Sequence, residues 1–238
     1  MRYIDFHTHI LPEMDDGAKT VADALAMLKT AYESGAETVI LTPHYHTSMP
    51  ISEFCAKRDK QLSVLKKAMK EDGGNFPKIL CGAEVLVDGN LSEKPDLKKL
   101  CIQGTDLILL ELPGVHWNDW HFHEIYRIIA ENNLSPVIAH IERYMKGPQG
   151  MLKIDKLISI GARFQVNAES FLSFSGKRMI RALAAEGLIC AIGSDCHGTN
   201  RRSPDITRAL HAFSKKFGDP FIDYLYHKTE KLLLEHSI

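Results

Sequence analysis

Imidazole and carboxylate side chains recur in this chain at spacings that suit metal-assisted hydrolysis. His7-Thr8-His9 leads into Asp15-Asp16-Gly17, and His44 and His46 follow. Glu84, Glu111, His140 with Arg143, Asn167 with Glu169, and Asp195 with His197 come after. In an extended strand, residues i and i+2 face the same side, so His7 with His9, and Asp195 with His197, can grip one ion. Several carboxylates brought together raise one another's pKa, and a divalent cation removes that conflict. Nitrogen and oxygen donors without cysteine suit Mn, Fe or Zn better than Ca or Mg. A single pair means little. The sequence holds three His-x-His pairs, and His121-Phe122-His123 follows no strand-like run. An isolated His or Glu after a strand is ordinarily a loop residue or helix cap, and His46 is read that way.

What gives the set weight is the place of its members. Short apolar runs fall at Tyr3–Phe6, Thr38–Leu41, Lys78–Cys81, Leu107–Leu110, Pro136–Ala139, Arg163–Val166 and Leu188–Ile192. Each is of strand length and bounded by Gly, Pro or polar residues. Continuous apolar runs suit strands covered on both faces, as in parallel sheets. Amphipathic helices lie between them. Val21, Ala24, Leu25, Leu28 and Ala31 share one helix face, Thr20 with Asp23 forms a capping box, and Gly35 marks the stop. Further helices are expected at Phe54–Met69, around Ile125 to Ile129, Ile154 to Ile158 and Met179 to Ala184, then at Ile206–Phe217 and Phe221–Leu234. Seven strands alternating with helices imply an α/β fold on a parallel sheet, open or closed. The polar residues follow nearly every strand, and in a (β/α) barrel those carboxyl ends converge on one face.

Composition narrows the rest. The chain has 238 residues with Lys+Arg 29 against Asp+Glu 30 and a formal net charge of −1. That balance disfavours nucleic acid and anionic lipid as partners. No linker or composition shift divides the chain, so one domain over residues 1–238 is expected. No run is long and apolar enough for a spanning helix, and Met1 to His7 carry no apolar signal stretch. The five cysteines are odd in number and form no Cys-x-x-Cys pair. A cytoplasmic, reducing setting is expected.

Seven segments in order carry a resemblance. They are Asp5-Phe6-His7-Thr8-His9-Ile10-Leu11-Pro12, Asp15-Asp16-Gly17-Ala18-Lys19-Thr20, Thr42-Pro43-His44-Tyr45-His46, Gly82-Ala83-Glu84, Leu110-Glu111, Pro136 to Tyr144 and Ser194-Asp195-Cys196-His197. The chain resembles the PHP (polymerase and histidinol phosphatase) superfamily, and within it the bacterial manganese-dependent protein-tyrosine phosphatases of capsule and exopolysaccharide clusters. The resemblance implies a distorted, TIM-like (β/α)7 barrel with three divalent ions, Mn2+ first, Fe or Zn as alternatives. One ion would take His7, His9, Glu84 and Asp195. A second would take Glu84 as a bridge with Glu111 and His140. The third would take Asp16, His44 and His197, with Asp15 as the neighbouring alternative. The implied substrate is a phosphotyrosine protein, the Tyr-rich tail of a bacterial tyrosine autokinase.

In such a site a metal-activated water attacks phosphorus, and no covalent intermediate is required. Arg143, three residues beyond His140, and Arg202, five beyond His197, would clamp the phosphate oxygens bidentately. Arg201 is the alternative to Arg202. His44 would bind metal and lie near the leaving oxygen. Tyr45, Tyr144, Trp117 and Trp120 are candidate flanks for an aryl ring. Three rivals stand beside this reading. Cys196 to Arg202 fits Cys-x5-Arg, the loop of cysteine-dependent phosphatases. The same metal residues would serve a small-molecule phosphoesterase, or a non-catalytic metal-bound scaffold.

Overall fold

The first strand shows why the sheet closes on itself. All six residues of β1 (Tyr3–Thr8) are buried, so this strand has neighbours on both edges and cover on both faces. The computed structural model describes residues 1–114, 117–145 and 150–238. Among these the strands β2 (Ala36–Leu41), β3 (His44–Tyr45), β4 (Lys78–Cys81), β5 (Glu84–Leu86), β6 (Leu107–Glu111), β7 (Ser135–Ile138), β8 (Arg163–Asn167) and β9 (Ile189–Gly193) follow. Every pairing between these strands is parallel. The ladders run β1-β2-β4 and β3-β5-β6-β7-β8-β9.

Nine segments occupy seven strand positions. Pro43 has no N–H to give, and it separates β2 from β3. Gly82-Ala83 separates β4 from β5, and a Cβ on Gly82 would lie 3.3 Å from the backbone of Ile102. Pairs β2/β3 and β4/β5 are thus two broken strands, each with its second piece carried on toward the site. The ring closes between β9 and β1 at one bridge, Thr8 with Cys196. Asp195 N–H donates to His7 O at 2.8 Å and His9 N–H to Cys196 O at 3.1 Å. Buried Asp5 adds a side-chain stitch, accepting from Ser194 N–H at 2.8 Å.

The helices are α1 (Val21–Glu33), α2 (Ile51–Asp72), α3 (Asp119–Asn132), α4 (Gly150–Ser159), α5 (Phe174–Ala185), α6 (Thr207–Phe217) and α7 (Asp219–Glu235). The capping box of Thr20 and Asp23 is present at the start of α1. α2 runs past the expected end at Met69 and stops at Gly73, which takes a left-handed φ of 70°. Between β5 and β6 only short 3-10 turns stand, Leu91–Glu93 and Leu97–Leu100. The barrel is therefore distorted on that side.

Side chains on β6 alternate. Leu107 and Leu109 join Phe6, Ile40, Val137 and Ala191 in an inner core, while Ile108 and Leu110 pack outward with the helices. Leu232 of α7 enters the inner core from the amino end of the strands. The interior is thus filled below, and the carboxyl ends of the strands are left for polar groups.

Candidate metal centre

Each polar group arrives by the logic of its strand. Glu111 follows Leu107 and Leu109 on the inward side of β6. Gln165 and Asn167 alternate with Phe164 and Val166 on β8, whose outward pair packs in the outer core. The loop after β1 folds back because Gly17 permits it: a Cβ there would stand 1.9 Å from His9 O. That return lets Ala18 N–H donate to His9 O at 3.0 Å. It also sets Asp15 Oδ2 at 2.7 Å from His9 Nδ1.

The structure gathers all nine expected metal-binding side chains at this end. The floor is sealed: the side chains of His7 and His9 are 0% exposed, and those of Glu84 and His140 1%. The opening lies toward Glu111, His44 and Asp16, at 23%, 26% and 67%. Donor atoms within 4.8 Å of one another form four overlapping sets: His7-Glu84-His140, His7-His9-Asp195, His44-Glu84-Glu111 and His9-Asp16-His44-His197. These sets cut across the sequence-based grouping. His7 also meets Glu84 and His140, His44 also meets Glu84 and Glu111, and His9 also faces the Asp16 set. Glu84 lies within 3.2 Å of ring nitrogens of His7, His9, His44 and His140.

Hydrogen bonds behind the imidazoles fix their tautomers. Gln165 Oε1 accepts from His140 N–H at 2.8 Å, and an amide oxygen can only accept, so His7 Nδ1 donates to it at 3.3 Å. His9 Nδ1 donates to Asp15 and His197 Nδ1 to Asp195 O at 3.0 Å. The Tyr144 hydroxyl donates to Leu112 O and accepts from His140 Nδ1 at 3.3 Å. Four rings thus turn Nε2 inward. In the neutral rings these nitrogens carry lone pairs. Yet His7 Nε2 and His9 Nε2 face each other at 3.0 Å. His140 Nε2 stands 2.9 Å from Glu84 Oε1, and His197 Nε2 3.1 Å from Asp16 Oδ1. Glu84 Oε2 is buried with no aligned hydrogen bond. Electron pairs converging in a buried space require positive charge between them, as protons or metal ions. The donor set fits divalent ions with nitrogen and oxygen preference.

Charge shifts tell the same story. Burial pushes the His9 ring down, but Asp15, Asp195 and Glu84 outweigh it and hold its pKa well above the ordinary value. Burial raises Glu84, and the His7, His140 and His44 rings more than offset it, leaving the carboxyl well below its usual range. Burial, with Arg143 and His7 nearby, lowers His140 to about 4. Burial, His9 and Arg202 lower His197 to about 4. A metal and a proton compete for the same atoms here.

Arg143 and Arg202 both place a guanidinium nitrogen on Asp195, one on each carboxylate oxygen. Their side chains remain 44% and 37% exposed, so both forks stand at the mouth. Arg201 is exposed and makes no ion pair among the described residues. Three residues here hold positive φ without being glycine: His140 at 35°, Asp195 at 52° and Arg202 at 54°. Such backbone strain concentrates at functional sites.

Other sequence readings resolve differently. Asp15 is hydrogen-bonded to His9 and to Gly17 and His44 N–H, whereas Asp16 at the rim sets Oδ1 3.1 Å from His197 Nε2. His46 and Glu169 are exposed. His121 lies at the start of α3, accepting from Asn118 N–H at 3.1 Å. Tyr144 supports His140, and Trp117 is buried beside Phe122. Cys196 is fully buried and burial pushes its thiol far up, so the Cys-x5-Arg reading lacks its thiolate. Gln165 and the positioning role of Tyr144 were missed. A lone glutamine two residues before Asn167 in an apolar strand was the available signal.

The family model for capsular polysaccharide synthesis, CpsB/CapC, matches residues 3–235. The chain belongs to the CpsB/CapC family. Its relatives include the tyrosine-protein phosphatase YwqE of Bacillus subtilis, 32% identical over 98% of this chain and 92% of that one. A solved structure from work on YwqE and Streptococcus pneumoniae CpsB, described as metal-dependent tyrosine phosphatases, superposes with a TM-score of 0.79. It is 28% identical and the match covers 99% of this chain and 95% of that one. A TatD-family hydrolase of Entamoeba histolytica shares the fold at a TM-score of 0.60 and 11% identity, covering 100% of this chain and 98% of that one. The CpsB/CapC match thus runs through every strand of the barrel and every residue of the centre described above.

Proposed function

We propose that residues 1–238 form one domain that hydrolyses phosphotyrosine in proteins with three divalent ions, Mn2+ first and Fe or Zn as alternatives. The observation that carries this reading is the set of inward Nε2 atoms, those of His7, His9 and His140 around buried Glu84 and that of His197 against Asp16. His7, His9, Glu84 and Asp195 would hold one ion, Glu84, Glu111 and His140 a second, and Asp16, His44 and His197 the third. Bound there, the ions would supply an activated water and neutralise charge on the phosphoryl oxygens.

The chain's own residues do the rest. Gln165, Asp15 and Tyr144 hold the imidazoles in the binding tautomer. Arg143 and Arg202, already converging on Asp195, are placed to take the free phosphate oxygens in their forks. His44 stands at the open edge, within reach of the leaving oxygen. A phenolate with an ordinary pKa of about 10 departs with less protonation than an alkoxide needs.

The names of the relatives support phosphotyrosine as substrate, and the family's tie to capsule synthesis supports a role in polysaccharide export. On this reading the protein partner is the Tyr-rich tail of a tyrosine autokinase, met in the cytoplasm. Among the described residues no helix is long and apolar enough to cross a membrane. The test compares Mn2+-loaded protein on a phosphotyrosine peptide and on histidinol phosphate. Strong preference for the peptide is expected. The reverse preference would move the reading to a small-molecule phosphoesterase, and no turnover of either would leave a scaffold.

A further inference from the structure

Beside the Asp16 and His44 edge of the centre lies a cavity of about 320 Å3. Its apolar lining comes from Met14, Tyr45, Met49 and Phe54. The back wall is fixed: Tyr45 and Phe54 are 1% and 3% exposed and meet edge to face at 5.2 Å. The near wall is held in place too. Tyr45 hydroxyl donates to Met49 O at 2.9 Å, and Met49 N–H donates to His46 O at 3.1 Å. Met14 and Met49 are half-buried, so each offers a thioether side chain to whatever enters. The volume is at the small end for a ligand pocket, about 300–1,000 Å3.

We infer that this cavity seats the phenyl ring of the phosphotyrosine substrate, with Met14 and Met49 as its specificity-determining residues. The inference rests on the phosphatase reading above. The cavity shares Asp16 and His44 with the centre, so a group bonded to a phosphorus held there has as its neighbour a space that is apolar on its Met14, Tyr45, Met49 and Phe54 side and polar at His46, Ser48 and Lys57. Methionine sulfur and methyl groups contact aromatic rings favourably and adapt to their faces. A serine or threonine ester has no ring to fill the space, and its peptide backbone would be drawn against the polar mouth.

Calorimetric titration of Mn2+-loaded protein with phenylphosphonate and with methylphosphonate reads the seat directly. Wild type is expected to bind the phenyl compound at least about tenfold tighter, as burying one ring warrants. Met14→Ala with Met49→Ala should erase that difference while leaving methylphosphonate affinity unchanged. Met49→Leu, which keeps apolar bulk, should retain it. Equal affinities in wild type, or a difference that survives the double substitution, would overturn the inference. A wild-type protein that prefers the phenyl compound yet hydrolyses no p-nitrophenyl phosphate would leave the seat standing and overturn the phosphatase reading instead.

Discussion

One glutamine, Gln165, holds several of the side chains proposed to meet the ions. Its single amide oxygen takes the N–H of His140 and the Nδ1 proton of His7, while its nitrogen donates to Asn167, which in turn donates to Asp195. Three candidate ligands hang on one side chain. Gln165→Leu is expected to weaken Mn2+ binding by about 10–100-fold, the usual cost of losing an outer partner. Competition against a chelating dye measures it, and unchanged affinity would count against the positioning role. The two loop arginines separate in the same way. Arg202→Lys should lower kcat/KM by roughly a hundredfold, since lysine lacks the bidentate fork. Arg201→Lys should leave kcat/KM near wild type, because Arg201 faces solvent. Steady-state kinetics on p-nitrophenyl phosphate decides, and equal losses would make the register of that loop wrong. The side chains proposed to meet the ions were legible from the sequence as donor types at strand ends. Their outer partners were not, because Gln165 and Tyr144 acquire meaning only from what folds against them.

Elements impose their own limits. β9 approaches β1 so closely that a Cβ on Gly193 would sit 2.7 Å from His7 Cβ and 2.8 Å from Gln165 Nε2. Gly193→Ala should therefore cost roughly 1–3 kcal/mol, the range for overpacking a tight interior. A lowered urea midpoint would show it, and an unchanged midpoint would mean that the strands can part. The turn after β7 carries Glu142, buried and bonded to Ser170 Oγ at 2.8 Å. Burial raises its carboxyl from 4.5 to about 7. Below the unfolded value both states hold the proton. Between 4.5 and about 7 the unfolded chain ionises first, so this group lowers stability as pH rises, and above that window its contribution is level. Glu142→Gln should flatten that fall, worth up to roughly 3 kcal/mol, in metal-free protein. Urea titrations at the two ends of the window test it, and parallel slopes in both proteins would refute it. The seven main strands were legible because apolar runs of four or five residues between breakers leave few alternatives. β3 and β5, of two and three residues, were not. They are too short to show a period, and they exist as continuations of β2 and β4 past Pro43 and Gly82.

At the scale of the molecule, the barrel separates two tasks. Its lower interior is filled by aliphatic side chains and closed by Leu232 of α7. Its upper end is left to groups that repel one another without positive charge between them. With a net charge of −1 overall, attraction for the proposed ions falls to the carboxylates of the mouth itself. The grouping of donors around Glu84 could not be read from order along the chain, since it depends on which strand ends meet across the mouth. The most direct measurement is p-nitrophenyl phosphate hydrolysis by chelator-stripped protein as Mn2+ is added back. Turnover is expected to be negligible in excess chelator and to return with the metal. Undiminished turnover in excess chelator would contradict a metal centre built from His7, His9, Glu84, His140 and Asp195.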